Sequence, residues 1–283
     1  MIMGMRRTFR FIRYTLILSL AWVASFAHAE PRADVRALFD ALDLSGIVEI
    51  MQTEGRAYGD SLEQEMFVGR GGAAWRAVVA DIYQADAMES VVLEALDREL
   101  DDRDLSGMLA FFTSERGQKI VSLELSAREA LLDDEVEALS EQQYHDMLEA
   151  KDPRLDLLSM FIGANDLIEG NVVGGLNSSY AFYQGLLDGG AFEDTLTEDQ
   201  ILTTVWSQEA DIRADTTEWI YSYLALAYQP LEDADIEAYT EFSLTSDGQV
   251  LNRALFDAFD DMYTGISRAL GRTAAQYMTG EDI

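Results

Sequence analysis

Nucleophilic catalysis of the Ser-His or Cys-His kind needs a base held beside the nucleophile. The chain is poorly supplied with both, having no cysteine and two histidines. His28 falls in an N-terminal stretch read below as a leader, which leaves His145. Glu141 and Glu149 stand one helical turn to either side of it, a face that could hold a divalent metal. A catalytic zinc usually takes three protein ligands and more histidine than this, so a solvated, charge-paired histidine is expected. The paired Glu-x-x-His motifs of di-iron bundles are absent too. Asp102-x-Asp104-x-Ser106-Gly107 opens like a calcium loop. Its twelfth position is Thr113 rather than glutamate, and Leu105 to Phe112 is needed as an amphipathic helix. No metal and no cofactor is therefore expected. Two-carboxylate acid-base chemistry has 52 acidic residues to draw on, and that abundance singles out no pair. Without a recognisable constellation, the chain is not expected to be an enzyme.

A different polar cluster sits inside the segment Leu155 to Leu187, where Asp156, Asp166 and Glu169 are the only charges. It comprises Asn165, Asp166, Glu169 and Asn171, followed by Asn177, Tyr180 and Tyr183. Acids on a largely buried helix need partners, and Arg213, Arg253 or Arg268 could supply them. The simpler expectation is that the cluster emerges at one exposed edge of the helix, since acids are seldom fully buried. The functional alternative is a ligand groove between the two halves of the protein, lined by Asn165, Asp166, Glu169, Tyr180 and Tyr183. The aromatics Trp206, Trp219, Tyr221 and Tyr223 are expected to pack in the core.

The elements that position these groups are helices. Val35, Leu38, Phe39 and Leu42 fall at i, i+3, i+4 and i+7, one face of a helix. Trp75, Val78, Val79 and Ile82 repeat the spacing, as do Leu105, Met108, Leu109 and Phe112. Leu251, Ala254, Leu255, Ala258, Phe259 and Met262 extend it over three turns. No stretch alternates convincingly with period two, so the predicted class is all-α. Gly69 to Gly72 predicts a loop, and the Lys151-Asp152-Pro153 step a boundary, because the residue before a proline is biased away from the helical region. The apolar segment after it reads as one or two buried helices, broken near Gly174-Gly175.

The chain also echoes itself. Leu100 to Gln118 and Leu231 to Gln249 share Leu100/Leu231, Asp102/Asp233, Asp104/Asp235, Phe111/Phe242, Gly117/Gly248 and Gln118/Gln249 at one constant offset. Trp75/Trp206 and Leu93/Leu224 keep the same offset. The predicted architecture is a helical bundle of two related halves, 30–150 and 151–283, made by internal duplication and packed together. Each echo has the grammar of a tight corner between two helices. Asp104 or Asp235 caps the first helix, and Phe111 or Phe242 offers an aromatic knob. Ser114 or Thr245 starts the second helix, and Gly117 or Gly248 allows the close approach.

The string Phe111-Phe112-Thr113-Ser114-Glu115-Arg116-Gly117-Gln118-Lys119 resembles the aromatic-aromatic-x-Ser-x-x-Gly-Gln-Lys signature of domain of unknown function 2059, a family of exported bacterial proteins. The resemblance covers about Val91 to Arg128. It implies a helical, secreted or periplasmic protein and brings no catalytic residues to carry over. The second echo departs from the signature, with Ser243 in place of the second aromatic and Val250 in place of Lys119.

Residues 1–29 have the layout of a signal peptide. Arg6, Arg7, Arg10 and Arg13 precede a short apolar run from Tyr14 to Phe26, and Ala27-His28-Ala29 is a small-x-small cleavage site. The run is shorter than the ~20 apolar residues of a spanning helix, so cleavage and a periplasmic or secreted product are expected, with no stable membrane insertion afterwards. The whole chain carries a formal charge of −32, and loss of the leader removes four arginines and no acid. Such a surface lacks the cationic patches nucleic acid demands and is repelled by anionic membranes. The function expected is non-enzymatic: interaction with a protein partner in the envelope, or envelope support. The alternative is a small-molecule or peptide binder with a pocket between the halves.

Overall fold

A computed structural model of the protein describes residues 31–191 and 197–279; the leader read from residues 1–29 lies outside them. Among the described residues there are thirteen helices and no strand. They are α1 (Ala33–Ala41), α2 (Leu44–Met66), α3 (Gly72–Ile82), α4 (Ala85–Glu99), α5 (Ser106–Phe112), α6 (Glu115–Ala130) and α7 (Asp134–Ala150). After the Pro153 boundary come α8 (Arg154–Ala164), α9 (Leu167–Asp188), α10 (Glu198–Trp206), α11 (Glu209–Ala227), α12 (Asp233–Ser243) and α13 (Ser246–Thr279). The all-α class follows from the apolar periodicities. Val35, Leu38 and Phe39 are fully buried, as is Trp75, and Leu251, Ala254, Ala258 and Met262 line the inner face of α13. None of the described helices is long and apolar enough to cross a membrane.

The two echoed stretches fold into corners built alike. At α5–α6 the Ser114 hydroxyl accepts from the Gly117 amide at 3.1 Å, and at α12–α13 the Thr245 hydroxyl accepts from the Gly248 amide at 3.1 Å. A side chain at either glycine is excluded. A Cβ on Gly117 would lie 2.2 Å from the Phe111 carbonyl oxygen, and one on Gly248 2.2 Å from that of Phe242. The following glutamines brace each corner against an earlier helix. Gln118 donates to the carbonyls of Ala41 and Phe112 at 2.9 and 2.6 Å, and Gln249 to those of Ala164 and Ser243 at 2.8 Å each. Arg32 and Arg154, each following a proline, reach back in the same manner. Arg32 donates to the Leu100 and Arg103 carbonyls, and Arg154 to those of Tyr228 and Leu231. The corners meet through their aromatic knobs, with Phe111 and Phe242 stacked at 4.3 Å between centroids.

Helices from both parts of the sequence share their cores. One cluster joins Val35 to Phe112 with Leu251 to Tyr277. A second joins Ile120 and Ala127 of α6 to α8, α11 and α12. Trp75 packs edge-on against Phe67 and Tyr277, and its indole N–H donates to the Gly59 carbonyl at 2.7 Å, satisfying the one polar atom of a fully buried side chain.

Three expectations need correction. The helix break lies at Asn165-Asp166, not at Gly174-Gly175, which sits inside α9; Asp166 takes a left-handed backbone with φ of 50°. Asp235 does not cap α12. That helix begins two residues earlier at Asp233, leaving Asp235 in its first turn, where it accepts from Arg116 at 2.9 Å and Lys119 at 3.1 Å. In the first corner the cap position of α5 is Leu105, which has no side-chain cap bond, and Asp104 stands one residue before it, accepting from the Ser106 amide at 3.0 Å. Trp206 is not a core residue like Trp75. It ends α10 and is 65 % exposed, whereas Trp219, Tyr221 and Tyr223 pack against the second core.

Candidate functional site

Helices α9 and α13 run side by side and parallel, as the succession of neighbours Gly170 with Phe256, Asn177 with Asp260 and Gly185 with Arg268 requires. Toward their C-termini the backbones touch. A Cβ on Gly185 would lie 2.2 Å from the Arg268 carbonyl oxygen, and one on Gly271 2.1 Å from that of Phe182. Toward their N-termini the facing side chains are larger, and the two helices flank a groove of about 740 Å³. Its apolar lining is Val173 on α9 with Phe256, Phe259 and Tyr263 on α13. Its acidic groups are Asp166, Glu169, Asp257 and Asp260, with Arg253 the cation among the lining residues.

The walls are held by a network of side chains. Asn252 donates to the Asn165 carbonyl at 2.7 Å and so fixes the turn between α8 and α9. Asn177 bridges the helices, its amide donating to both Asp260 oxygens at 3.1 and 3.2 Å. Glu169 is paired with Arg213 at 2.8 Å, and the same guanidinium holds Glu209 at 2.6 Å. Arg253 makes no ion pair or hydrogen bond to any described residue. Partial desolvation, then the nearby carboxylates of Glu99, Asp260 and Asp261, raise the Asp257 carboxyl above its ordinary range. Rim and apolar floor together can bind a cationic, partly apolar group.

The five residues expected to line a groove are divided by the structure. Asp166 and Glu169 are exposed and line the α9/α13 groove. Asn165 is buried beneath it and donates to the Phe161 carbonyl. Tyr180 turns to another side of α9 and donates to Glu198 at 2.8 Å, and Tyr183 packs against the core. Both walls come from the second part of the sequence, so this groove does not lie between the halves. Asn252, Phe256, Asp257, Asp260 and Tyr263 were missed, because they fall outside the apolar stripe of α13, of which only Phe259 reaches the groove. A signal was available: the same offset that aligns Gly117 with Gly248 sets Arg253, Phe256 and Asp257 opposite Ser122, Leu125 and Ser126, a change in character soon after the shared Gln.

The remaining candidates take structural roles. His145 pairs with Glu218 at 3.2 Å. Asp102 adopts a left-handed backbone in the turn before α5. No cluster of three or more histidine and carboxylate side chains suited to a metal occurs among the described residues. Phe111, Ser114, Gly117, Phe242, Thr245 and Gly248 form the two corners described above.

Comparison with known proteins places a match on the first corner. Residues 86–143 match the family described as "Uncharacterized protein conserved in bacteria (DUF2059)", in agreement with the resemblance carried by Phe111 to Lys119. The matched stretch runs from α4 into α7, and the α9/α13 groove lies outside it. No curated protein and no solved structure gives a match.

Proposed function

We propose that this is an exported, non-enzymatic binding protein whose α9/α13 groove receives a basic, amphipathic segment of a partner polypeptide in the envelope. The observation that carries this is the pairing of an apolar floor with an acidic rim along one groove. The groove follows α9 from Asp166 to Ser178, a run of about 18 Å at 1.5 Å per residue, enough for three turns of a docked helix. Apolar side chains on such a segment would cover Phe256, Phe259 and Val173, and its lysines or arginines would meet Asp257 and Asp260. Export rests on the leader-like residues 1–29, and charge complementarity names the partner's sign.

The test uses a labelled lysine-leucine amphipathic peptide of about fourteen residues, a length set by the 1.5 Å rise, with a glutamate-leucine counterpart. Anisotropy should show saturable binding of the basic peptide that weakens with salt, and none of the acidic one. The double change Asp257→Lys with Asp260→Lys should weaken binding roughly tenfold or more. The control, Asp134→Lys with Asp146→Lys on α7, makes the same change in net charge away from the groove. Equal losses in the two variants would reduce the binding to non-specific attraction and sink the proposal.

A further inference from the structure

A second cavity, of about 470 Å³, lies between α2 and α3 on one side and α9, α11 and α13 on the other. Unlike the groove, it is bounded by helices from both parts of the sequence. Three phenols line it: Tyr58, Tyr83 and Tyr263. Most of the Tyr83 ring is buried while Tyr58 is 50 % exposed at the cavity mouth, and the hydroxyls of Tyr58, Tyr83 and Tyr263 make no hydrogen bond to any described residue. The Tyr83 and Tyr263 oxygens are open to water rather than enclosed, unlike the unpartnered Ser222 and Tyr277 hydroxyls, so they are free to bond to what enters the cavity. Ser178 and Ser267 add two more hydroxyls without partners, and Gln208 contributes a free amide N–H₂, its oxygen already accepting from Ser179 at 2.9 Å. Met51, Phe182 and Ile212 supply apolar surface.

Charge narrows the ligand. No lysine or arginine lines the cavity, so nothing there would hold an anion. Its one carboxylate, Glu54, is already tied to Arg128 at 2.7 Å, which leaves no uncompensated charge for a cation. We infer that this cavity is a separate binding site for an uncharged small molecule with one apolar face and several hydroxyl or ether oxygens, the chemistry of a pyranose ring. The phenols and serines donate to its oxygens, and Phe182 and Ile212 cover its C–H face. The volume is within the range of small-molecule sites. This site does not depend on the polypeptide groove, although Tyr263 borders both.

The test is calorimetric titration of the full protein with three probes sharing one aromatic handle: p-nitrophenyl glucoside as the neutral sugar, p-nitrophenyl phosphate as the anion and p-nitrobenzylammonium as the cation. The glucoside should bind saturably at one site and the charged probes at least tenfold more weakly. Tyr83→Phe and Tyr263→Phe keep the ring and remove the hydroxyl, and each should weaken the glucoside about tenfold. Because the Tyr83 hydroxyl bonds to no described residue, the empty Tyr83→Phe variant should melt no lower than the parent, which separates lost binding from lost folding. Asp257→Lys with Asp260→Lys should leave glucoside binding unchanged, so failure here and failure of the groove are distinguishable. Absence of glucoside binding, charged probes binding as well as the sugar, or full affinity in both phenylalanine variants would each overturn the inference.

Discussion

Replacing Glu124 by glutamine should raise stability only slightly at pH 5 and progressively more toward pH 8. Glu124 lies on α6, where the Tyr228 hydroxyl donates to its carboxylate at 2.5 Å and the Tyr223 hydroxyl to its backbone carbonyl at 3.2 Å. Burial disfavours the charged carboxylate and outweighs the Tyr228 hydrogen bond that favours it, so the group is pushed from 4.5 up to about 7. Burial, and then the Glu124 charge itself, hold the Tyr228 phenol well above its ordinary value, which keeps it a donor throughout. The sign follows from linkage. A carboxyl whose folded value is raised binds its proton more tightly in the native state, so its contribution to stability is complete below 4.5 and is lost as pH rises through about 7. At 1.36 kcal/mol per unit the ceiling is about 3 kcal/mol, and water reaching part of this incompletely buried side chain reduces it.

Glutamine mimics the protonated acid at every pH, and its carbonyl can still accept from Tyr228. The assay is urea unfolding of parent and Glu124→Gln protein at pH 5, 6, 7 and 8, followed by circular dichroism. Comparing the two proteins at each pH removes most of the background from the other 51 acids. An advantage of about 1–3 kcal/mol for the variant at pH 8, falling to under about 1 kcal/mol at pH 5, is expected. A constant difference, or a variant less stable than the parent at pH 8, would refute the desolvation account.

Gly117→Ala and Gly248→Ala should each cost about 2–4 kcal/mol, because the new methyl meets a backbone carbonyl that can yield only by opening the corner. Gly265→Ala, at a position in α13 where a Cβ meets nothing within 4 Å, should instead stabilise by about 0.5–1 kcal/mol, and thermal melts of the three variants read the contrast. Asp235→Asn removes the acceptor of Arg116 and Lys119, whose hydrogen bonds hold that carboxyl below its ordinary value. The loss should stay under about 1 kcal/mol, fade in high salt, and diminish as pH falls toward the carboxylate range.

How much of this was legible in the sequence depends on the range of the interaction. The corners were legible because their determinants are local. Ser114 and Gly117 sit three residues apart, and the bond between them requires nothing from elsewhere in the chain. The brace formed by Gln118 was not, since its acceptor at Ala41 lies far away in sequence. Trp75 and Trp206 occupy equivalent places in the numbering, yet one is enclosed by Phe67 and Tyr277 while the other closes a short helix at the surface. Burial is decided by neighbours, and a constant offset in sequence does not guarantee the same neighbours. Tyr58 on α2, Tyr83 just after α3 and Tyr263 on α13 are far apart in sequence, and no spacing rule could have gathered them into one cavity.

The contrast between α6 and α13 bears most directly on function. Both helices begin at the same type of corner, and both are braced by the glutamine after its glycine. Helix α6 ends at Ala130, while α13 continues to Thr279. Over the shared turns, α6 presents Leu125 against Gly46 of α2, and α13 presents Phe256 against Gly170 of α9. Beyond that point α13 offers Asp260 to Asn177 and places Tyr263 at the border of both cavities. Corners built alike thus launch helices with different side chains and different lengths, and both candidate binding sites border the longer one. Substitutions at the corners should therefore act on stability, and those at Arg253, Phe256, Asp257, Asp260 and Tyr263 on binding.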